Sequence, residues 1–393
     1  MTNRRMLEGL RVVDFTRVVA GPYATRMLAD MGADVIKIDA PAGQAAPGTG
    51  GTPDGDDDGP RRAAGSVENN LGKRSIVVDL KSPDGVGVAR DLVAAADVLV
   101  ENFQPEVMDR LGLGYQVVHE LNPRLVFASI SGFGHGNSFS HRRAFGATAH
   151  AEAGWIWTQQ QAARTEGPFA PGVTVADLIT GSLSFAGILA ALLDRERTGL
   201  GQHVDTSLMD GQLALLNDVA SGARNGKTEE NWTPFRHPIH PAKDGHLTIN
   251  VGTARHFGRI AEGLGHPGAE MPATPLQANL LVSSWVAEHT VAEATAGLEA
   301  AGAAFGEVMT MPQSVNHPYF EERGMLLDID DVVSGTHHAI SSALFFSDSE
   351  SAPVSRAPLA GEHSRQILEG LGYDGSRIEA LLADAVSQHP PFE

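Results

Sequence analysis

Residues 7–39 read LEGLRVVDFTRVVAGPYATRMLADMGADVIKID. Two parts of this stretch, LRVVDF (10–15) and ADVIKID (33–39), are short β-branched runs of strand length. Between them Tyr23, Met27, Leu28 and Met31 recur at close to helical spacing. Strand, helix, strand in that order is a βαβ unit, which requires a parallel sheet. Working outward, SIVVDL (75–80), VLVE (98–101) and LVFASI (125–130) read as further strands, and residues 83–96 alternate with them as a helix. The fold class is therefore α/β, with a Rossmann-like sheet.

The most legible helix runs over residues 173–197. Ile179, Leu183, Ile188, Leu189, Leu192 and Leu193 give it an apolar pattern, Arg195 and Arg197 sit in its last turn, and Gly199 and Gly201 stop it. Residues 204–216 start as a strand and turn into a helix. Around residues 225–241 the composition becomes polar and proline-containing, which predicts a crossing into a smaller domain. That domain opens with the strand GHLTINVG (245–252) and continues in helices near 254–264 and 281–302. After Pro312 the chain is turn-rich, then carries RAPLAGEHSRQILEG (356–370) and a short helix. The expected division is 1–216 for the first part of a large domain, 217–241 for a crossover, 242–312 for a small domain, and 313–393 for the return and the rest of the large domain. Residues 41–66, rich in Gly, Pro, Ala and Asp, read as a long surface loop, either a solvated insertion or a lid.

Composition narrows the function classes. The 393 residues are 42% hydrophobic and 20% charged, as in soluble globular proteins. The absence of cysteine excludes disulfides, thiolate catalysis and cysteine-ligated metal sites. A net charge of −19 argues against nucleic acid or an anionic membrane as partner. No 18-residue apolar run is apparent, and Arg4 and Arg5 are followed by no apolar signal region. The expectation is a cytoplasmic protein with no membrane span.

Few motifs speak alone. GFGHG (132–136) follows a strand but lacks the third glycine of a dinucleotide fingerprint, and no phosphate-loop motif occurs. The His237-Pro-x-His240 segment reads as a structural loop, since no carboxylate pair flanks it, and no metal site is expected. Asp177 precedes the apolar stretch of its helix by a residue or two, where a carboxylate serves as an N-cap. The same place keeps a carboxylate ionised and makes it a usable nucleophile. Spacing alone leaves both readings open.

Several segments taken together resemble the family III CoA-transferases, the group that includes formyl-CoA:oxalate and carnitine CoA-transferases and the α-methylacyl-CoA racemases. The opening stretch (7–39) is similar to their first βαβ unit. GKRSIVVDLKSPDG (72–85), DVLVENFQPEVMDRLGLGY (97–115), LNPRLVFASISGFG (121–134), the Asp177 helix, TGLGQHVDTSLMDG (198–211) and RAPLAGEH (356–363) follow in the family's order. The resemblance implies a Rossmann-like large domain built from both chain ends, a smaller inserted α+β domain, and a homodimer of interlocked rings. It implies that coenzyme A moves from an acyl-CoA donor to a carboxylic acid acceptor, with acyl-CoA as co-substrate and no tightly bound cofactor. Asp177 matches the catalytic aspartate, which would pass through an acyl anhydride and an aspartyl-CoA thioester. Coenzyme A binding falls on Val18, Lys81, Asn102, Phe103, Arg110 and Arg143.

The departures are specific. Val19 stands where some transferases carry an assisting glutamine, and no glycine-rich loop of the oxalate-specific members is found, so oxalate is a poor acceptor. Phe145-Gly146 stands where many members place an aromatic and an acid, which leaves Glu152 as a replacement carboxylate. The racemases would place a His–Asp pair near the same point, and only His150 lies close in sequence. Racemisation, and coenzyme A binding with little catalysis, are the alternatives. Trp155 and Trp157 read as core residues or as walls of an acyl pocket.

Overall fold

The structure, a computed structural model, describes residues 4–41, 63–170, 172–229, 238–333 and 335–387. Residues 42–62 of the expected surface loop, and His237, lie outside the described residues.

Six strands, β1 (Arg11–Asp14), β2 (Asp34–Asp39), β3 (Arg74–Val78), β4 (Val98–Glu101), β5 (Val126–Ser131) and β6 (His203–Ser207), form a parallel sheet. Their order is β3-β2-β1-β4-β5-β6, and the short strand Val386–Ser387 joins β3 antiparallel. This is the doubly wound order, in which the winding direction reverses between β1 and β4 and leaves a crevice at their carboxyl ends. The expected α/β class with a large parallel sheet is what the chain forms.

The sheet is buried on both faces, as a parallel sheet must be. Val12, Val35, Val98 and Val126 enter one core, and their sequence neighbours Val13, Ile36, Leu99 and Phe127 enter the other, because successive side chains point to opposite faces. Onto the first face pack the helices Ala20–Asp30, through Ala24 and Leu28, and Val175–Thr198, through Phe185, Ile188 and Ala191. Onto the second pack Pro83–Ala94 and the late helices Ser364–Gly370 and Gly375–Asp384. Both ends of the chain thus build one compact unit, residues 1–228 with 324–393. The helix Val175–Thr198 has a mean hydropathy of 1.8 over an 18-residue window and is long enough to cross a membrane. That corrects the expectation that no such run exists. Phe185, Ile188, Ala191 and Leu192 are accounted for by packing in the core on the sheet, while Leu183 and Leu193 are exposed. Against Ala20–Asp30, Gly181 leaves no room for a Cβ beside the Ala20 carbonyl oxygen.

Residues 229–323 form the second compact unit. Its antiparallel sheet of β7 (Ile239–Pro241), β8 (His246–Ile249) and β9 (Phe305–Glu307) carries Leu247 and Ile249 into a core with Phe257, Val282 and Leu298. The single helix expected over 281–302 is two, Pro275–Val286 and Val291–Ala300. A Thr290–Glu293 capping box starts the second, each side chain bonding the other residue's backbone N–H. His240 belongs to β7, buried, with one ring nitrogen on the Ser283 hydroxyl at 2.7 Å and the other on the Ile249 carbonyl at 3.3 Å. The turn-rich stretch after Pro312 contains a hairpin, β10 (Leu326–Asp331) and β11 (Gly335–Ile340). The hairpin belongs to the first unit, where Leu327, Ile329 and Ala339 carry its inner face onto Val67 and Leu71. Its alternation is diluted by Asp328, Asp330 and Asp331, which hid it in the sequence.

One buried ion pair anchors the end of β1. Lys73 Nζ lies 2.9 Å from Asp14 Oδ2, and both side chains are fully buried. Thr16 donates to Asp14 Oδ1 through its N–H at 2.8 Å and its hydroxyl at 2.5 Å, while Thr25 donates to Oδ2 at 2.7 Å. Lys73 also reaches the Pro22 carbonyl, Thr25 Oγ1 and Asn70 Oδ1. Burial alone would raise the Asp14 carboxyl, but Lys73, Lys37 and the two threonine hydroxyls outweigh it and hold the group at about 2. Burial pulls Lys73 down to about 8, against the attraction of Asp14, so the pair is ionic at neutral pH. Lys73→Met leaves a buried carboxylate with no counter-charge and should cost about 3–5 kcal/mol of stability. The shift of the urea unfolding midpoint at pH 7 measures this, and a loss below about 1 kcal/mol would show that the pair does not anchor the sheet.

Candidate active site

The helix Val175–Thr198 starts without a side-chain cap from Thr174. Its leading N–H groups are nonetheless satisfied. Val175 donates to the Val173 carbonyl at 2.9 Å, Leu178 donates to the Thr174 carbonyl at 3.2 Å, and Ala176 donates to Nε2 of the buried His150 at 3.1 Å. Asp177 is the third residue of the helix, so it lies inside the first turn and is not the N-cap its sequence position suggested. Half-burial removes water from its carboxyl and pushes it up to about 6, and its own N–H offsets only part of that rise. The helix dipole still favours the anion. The result is an ionisable carboxylate with few hydrogen bonds, a more reactive state than a well-solvated one.

The space for that carboxylate comes from Gly146, the first residue of the helix Gly146–Glu152. A Cβ at this position would stand 2.1 Å from Asp177 Oδ2. The departure noted at Phe145-Gly146 therefore has a steric consequence: the Asp177 carboxylate fills the space beside residue 146. Glu152 does not take over as a second acid here, since Arg142 holds it through bonds of 2.6 and 2.9 Å. Trp155 and Trp157 belong to neither large core. They are half-buried on the short helix Trp155–Ala163, and the Trp155 Nε1 is buried without a hydrogen-bond partner among the described residues.

A second set of residues gathers at the crevice between β1 and β4. Asn102 bridges the two loops there, accepting from Arg17 N at 2.8 Å and donating to the Arg17 carbonyl at 2.7 Å. Val18 follows with φ of +68°, a left-handed conformation that a β-branched side chain adopts only under constraint. Phe103 packs edge-on against Phe15 at 6.5 Å, and the Arg17 guanidinium lies 5.1 Å from its ring centre. Beneath it the buried Glu101 accepts from Phe103 N at 2.8 Å, and burial pushes its carboxyl up to about 7. Lys81 and Arg110 line one hollow of about 500 Å³ together with Arg90, Leu80 and Leu111. Leu80, Leu111 and Phe103 pack against the same core. The structure thus brings Lys81 together with Arg110, and Val18 together with Asn102 and Phe103. Arg143 is exposed and, among the described residues, makes no hydrogen bond or ion pair. Sequence reasoning missed Arg17, Arg90, Glu101 and the roles of Gly146 and His150. For Arg17 the signal was its place in the loop directly after β1.

The model of the family described as CoA-transferase family III matches residues 7–364. A succinyl-CoA:glutarate CoA-transferase from Mus musculus is 31% identical over 98% of this chain and 91% of its own. A succinyl-CoA:mesaconate CoA-transferase from Haloarcula marismortui is 33% identical over 95% and 99%. Among solved structures, a CAIB/BAIF family protein from Brucella suis superposes with a TM-score of 0.79 at 32% identity, covering 93% of this chain and 99% of the other.

The contact between Gly146 and Asp177 predicts a separation of stability from activity. Because the obstructed atom is a carboxylate oxygen that can swing away, Gly146→Ala should fold with a melting temperature at or above wild type. Its turnover should fall by about tenfold or more because the carboxylate is displaced. Melting and steady-state rates measured on one preparation check both halves.

Proposed function

The chain belongs to CoA-transferase family III and is an enzyme that moves coenzyme A from an acyl-CoA donor to a carboxylic acid, and we propose that Asp177 is the nucleophile through which it does so. The observation that carries this is the state of that carboxylate: ionisable, half-desolvated, in the first turn of the central helix and seated against Gly146. An Asp177 oxygen attacks the thioester carbonyl, the C–S bond breaks, and an acyl–aspartyl anhydride forms with free CoA thiolate. The thiolate then attacks the aspartyl carbonyl and expels the donor acid, leaving an aspartyl-CoA thioester. The acceptor carboxylate displaces the thiolate to form a second anhydride. Thiolate attack on the acceptor's carbonyl releases the new acyl-CoA and restores Asp177. No proton is gained or lost, and each step exchanges one acyl bond for another.

Coenzyme A is assigned to the crevice, with Asn102 and the strained Val18 loop against its pantetheine arm and Phe103 against an apolar part. Lys81, Arg90 and Arg110 suit its phosphates, and Arg143 stays on the binding side of the proposal by its match to the family. The names of relatives that act on succinyl-CoA with glutarate or mesaconate make succinyl-CoA the first donor to test and a dicarboxylate the first acceptor. We place the enzyme in the cytoplasm as a homodimer of interlocked rings, acting on acyl-CoA and an acid and not on nucleic acid or membrane. The net charge of −19 supports this, as do the exposed Leu193, Leu213, Leu276 and Leu280, which suit an interface. Racemisation is disfavoured, because the Nε2 of His150 is committed to Ala176 and is not free to carry an α-proton.

Asp177→Ala should lower succinyl-CoA–dicarboxylate exchange by at least about a thousandfold with the fold intact, followed by chromatography of the two thioesters. In the wild type, kcat should fall as the pH drops through about 6 with a slope of one, since only the anion attacks. Asp177→Asn should raise the melting temperature at pH 8. The native-state carboxyl titrates above its unfolded value, so ionisation penalises the fold above pH 6, and the gain should shrink as pH falls from 6 toward 4.

A further inference from the structure

We infer that His150 is a positioning residue that keeps the Asp177 carboxylate reactive by occupying the Ala176 N–H with its own ring nitrogen; this rests on the reading of Asp177 as nucleophile. An acid in the first turn of a helix ordinarily turns back to the free N–H groups there, which are the helix's unsatisfied donors. Each such bond stabilises the anion and makes it a poorer nucleophile. Here Asp177's own N–H reaches the carboxyl, but the neighbouring donors of Val175 and Leu178 are taken by backbone carbonyls, and Ala176 N–H is taken by His150 Nε2 at 3.1 Å. His150 reaches it from the helix Gly146–Glu152, whose first residue is the glycine that admits the carboxylate. One short helix therefore provides both the space for Asp177 and the acceptor that keeps it under-bonded.

The bond fixes the state of the ring. Nε2 accepts a hydrogen bond, so it carries no proton, and the neutral tautomer has its proton on Nδ1. Burial lowers the imidazole's affinity for a proton, which protects that state. The surrounding charges do not oppose it. On its own helix Glu152 is neutralised by Arg142. The helix Trp155–Ala163 carries no titratable group. The helix Leu208–Leu215 carries only Asp210, which bonds Ser207 Oγ at 2.7 Å. Apart from Asp177 itself, the charges of Val175–Thr198 lie in its last turns, at Asp194, Arg195, Glu196 and Arg197. Protonation would remove the lone pair, free the Ala176 N–H and place a new donor beside Asp177. The device therefore fails in acid in the same direction as the nucleophile.

The test compares wild type, His150→Leu and His150→Gln as full-length enzymes, using succinyl-CoA as the acyl donor. Gln offers an acceptor oxygen that does not titrate, and Leu fills the volume without an acceptor. Three readouts are needed: the rate of adduct formation on Asp177, its pH profile, and the KM for succinyl-CoA. The Leu variant should react about tenfold or more slowly, with its acid limb moved down by about half a pH unit or more as the carboxylate gains the N–H. Its KM should stay within about twofold, and Gln should restore most of the rate. A folded Leu variant with wild-type rate and limb overturns the inference. Nitrogen NMR of the His150 ring in unmodified enzyme reads the cap directly, whatever the folding of any variant. A bare Nε2 at pH 7 supports the cap, and a protonated Nε2 overturns it whatever Asp177 does. Turnover without an Asp177 adduct, alongside a bare Nε2, would instead remove the nucleophile and leave the helix cap standing.

Discussion

Lys73 and Asp14 meet where no water reaches, and the site's geometry is built up from that meeting. A buried ion pair is tolerated only when its remaining donors and acceptors are satisfied. Here two threonines, an asparagine and a backbone carbonyl complete it. Because those partners come from β1, the first helix and the segment before β3, the pair fixes all three together. The loop between Asp14 and Ala20 has little freedom left, and Val18 is held in a left-handed backbone conformation. From this anchored corner the first helix runs against the central one. Gly181 lets that contact close to backbone distance, and the N-terminal turn of the central helix is placed accordingly.

The proposed chemistry then depends on what surrounds one carboxylate. Among the described residues Asp177 has neither a cation beside it nor a ring of N–H donors, so desolvation decides its state. Asp14, in the same unit, shows the opposite outcome: fully buried, yet held at about 2 by its ammonium partner and two hydroxyls. Glu101 is a third case, raised to about 7 by burial that its hydrogen bonds only partly offset. Three buried or half-buried acids thus differ through their partners, and of the three Asp177 is the one in the first turn of a helix. A carboxylate nucleophile of the proposed kind needs no base to activate it, because it enters the cycle already deprotonated and is restored as the same anion at its end.

Much of the fold was legible because a parallel sheet buried on both faces must be written as short β-branched runs separated by amphipathic helices. The strands at residues 10–15, 33–39, 75–80, 98–101 and 125–130 followed that rule. The hairpin at residues 326–340 did not, because its single buried face is carried by Leu327, Ile329 and Ala339 among aspartates and histidines. Helix breaks were also hard to see where a capping box, and not a glycine or proline, made the break, as at Thr290. In the site, Asp177 was visible as a carboxylate beside an apolar helix. What surrounds it was not. The contact of Gly146 with Asp177, and of His150 with Ala176, join residues far apart in sequence, and no periodicity announces them. Sequence showed position 146 only as a missing acid; the structure shows it as the room the Asp177 carboxylate occupies.

The most direct test of Asp177 as the nucleophile is peptide mass spectrometry of the enzyme after brief incubation with succinyl-CoA and acid quench. A succinyl or coenzyme A adduct should be confined to the peptide that contains Asp177, and should be discharged when a dicarboxylate acceptor is added before the quench. Turnover without any adduct on that peptide, or with the adduct on another carboxylate such as Glu152, would contradict it.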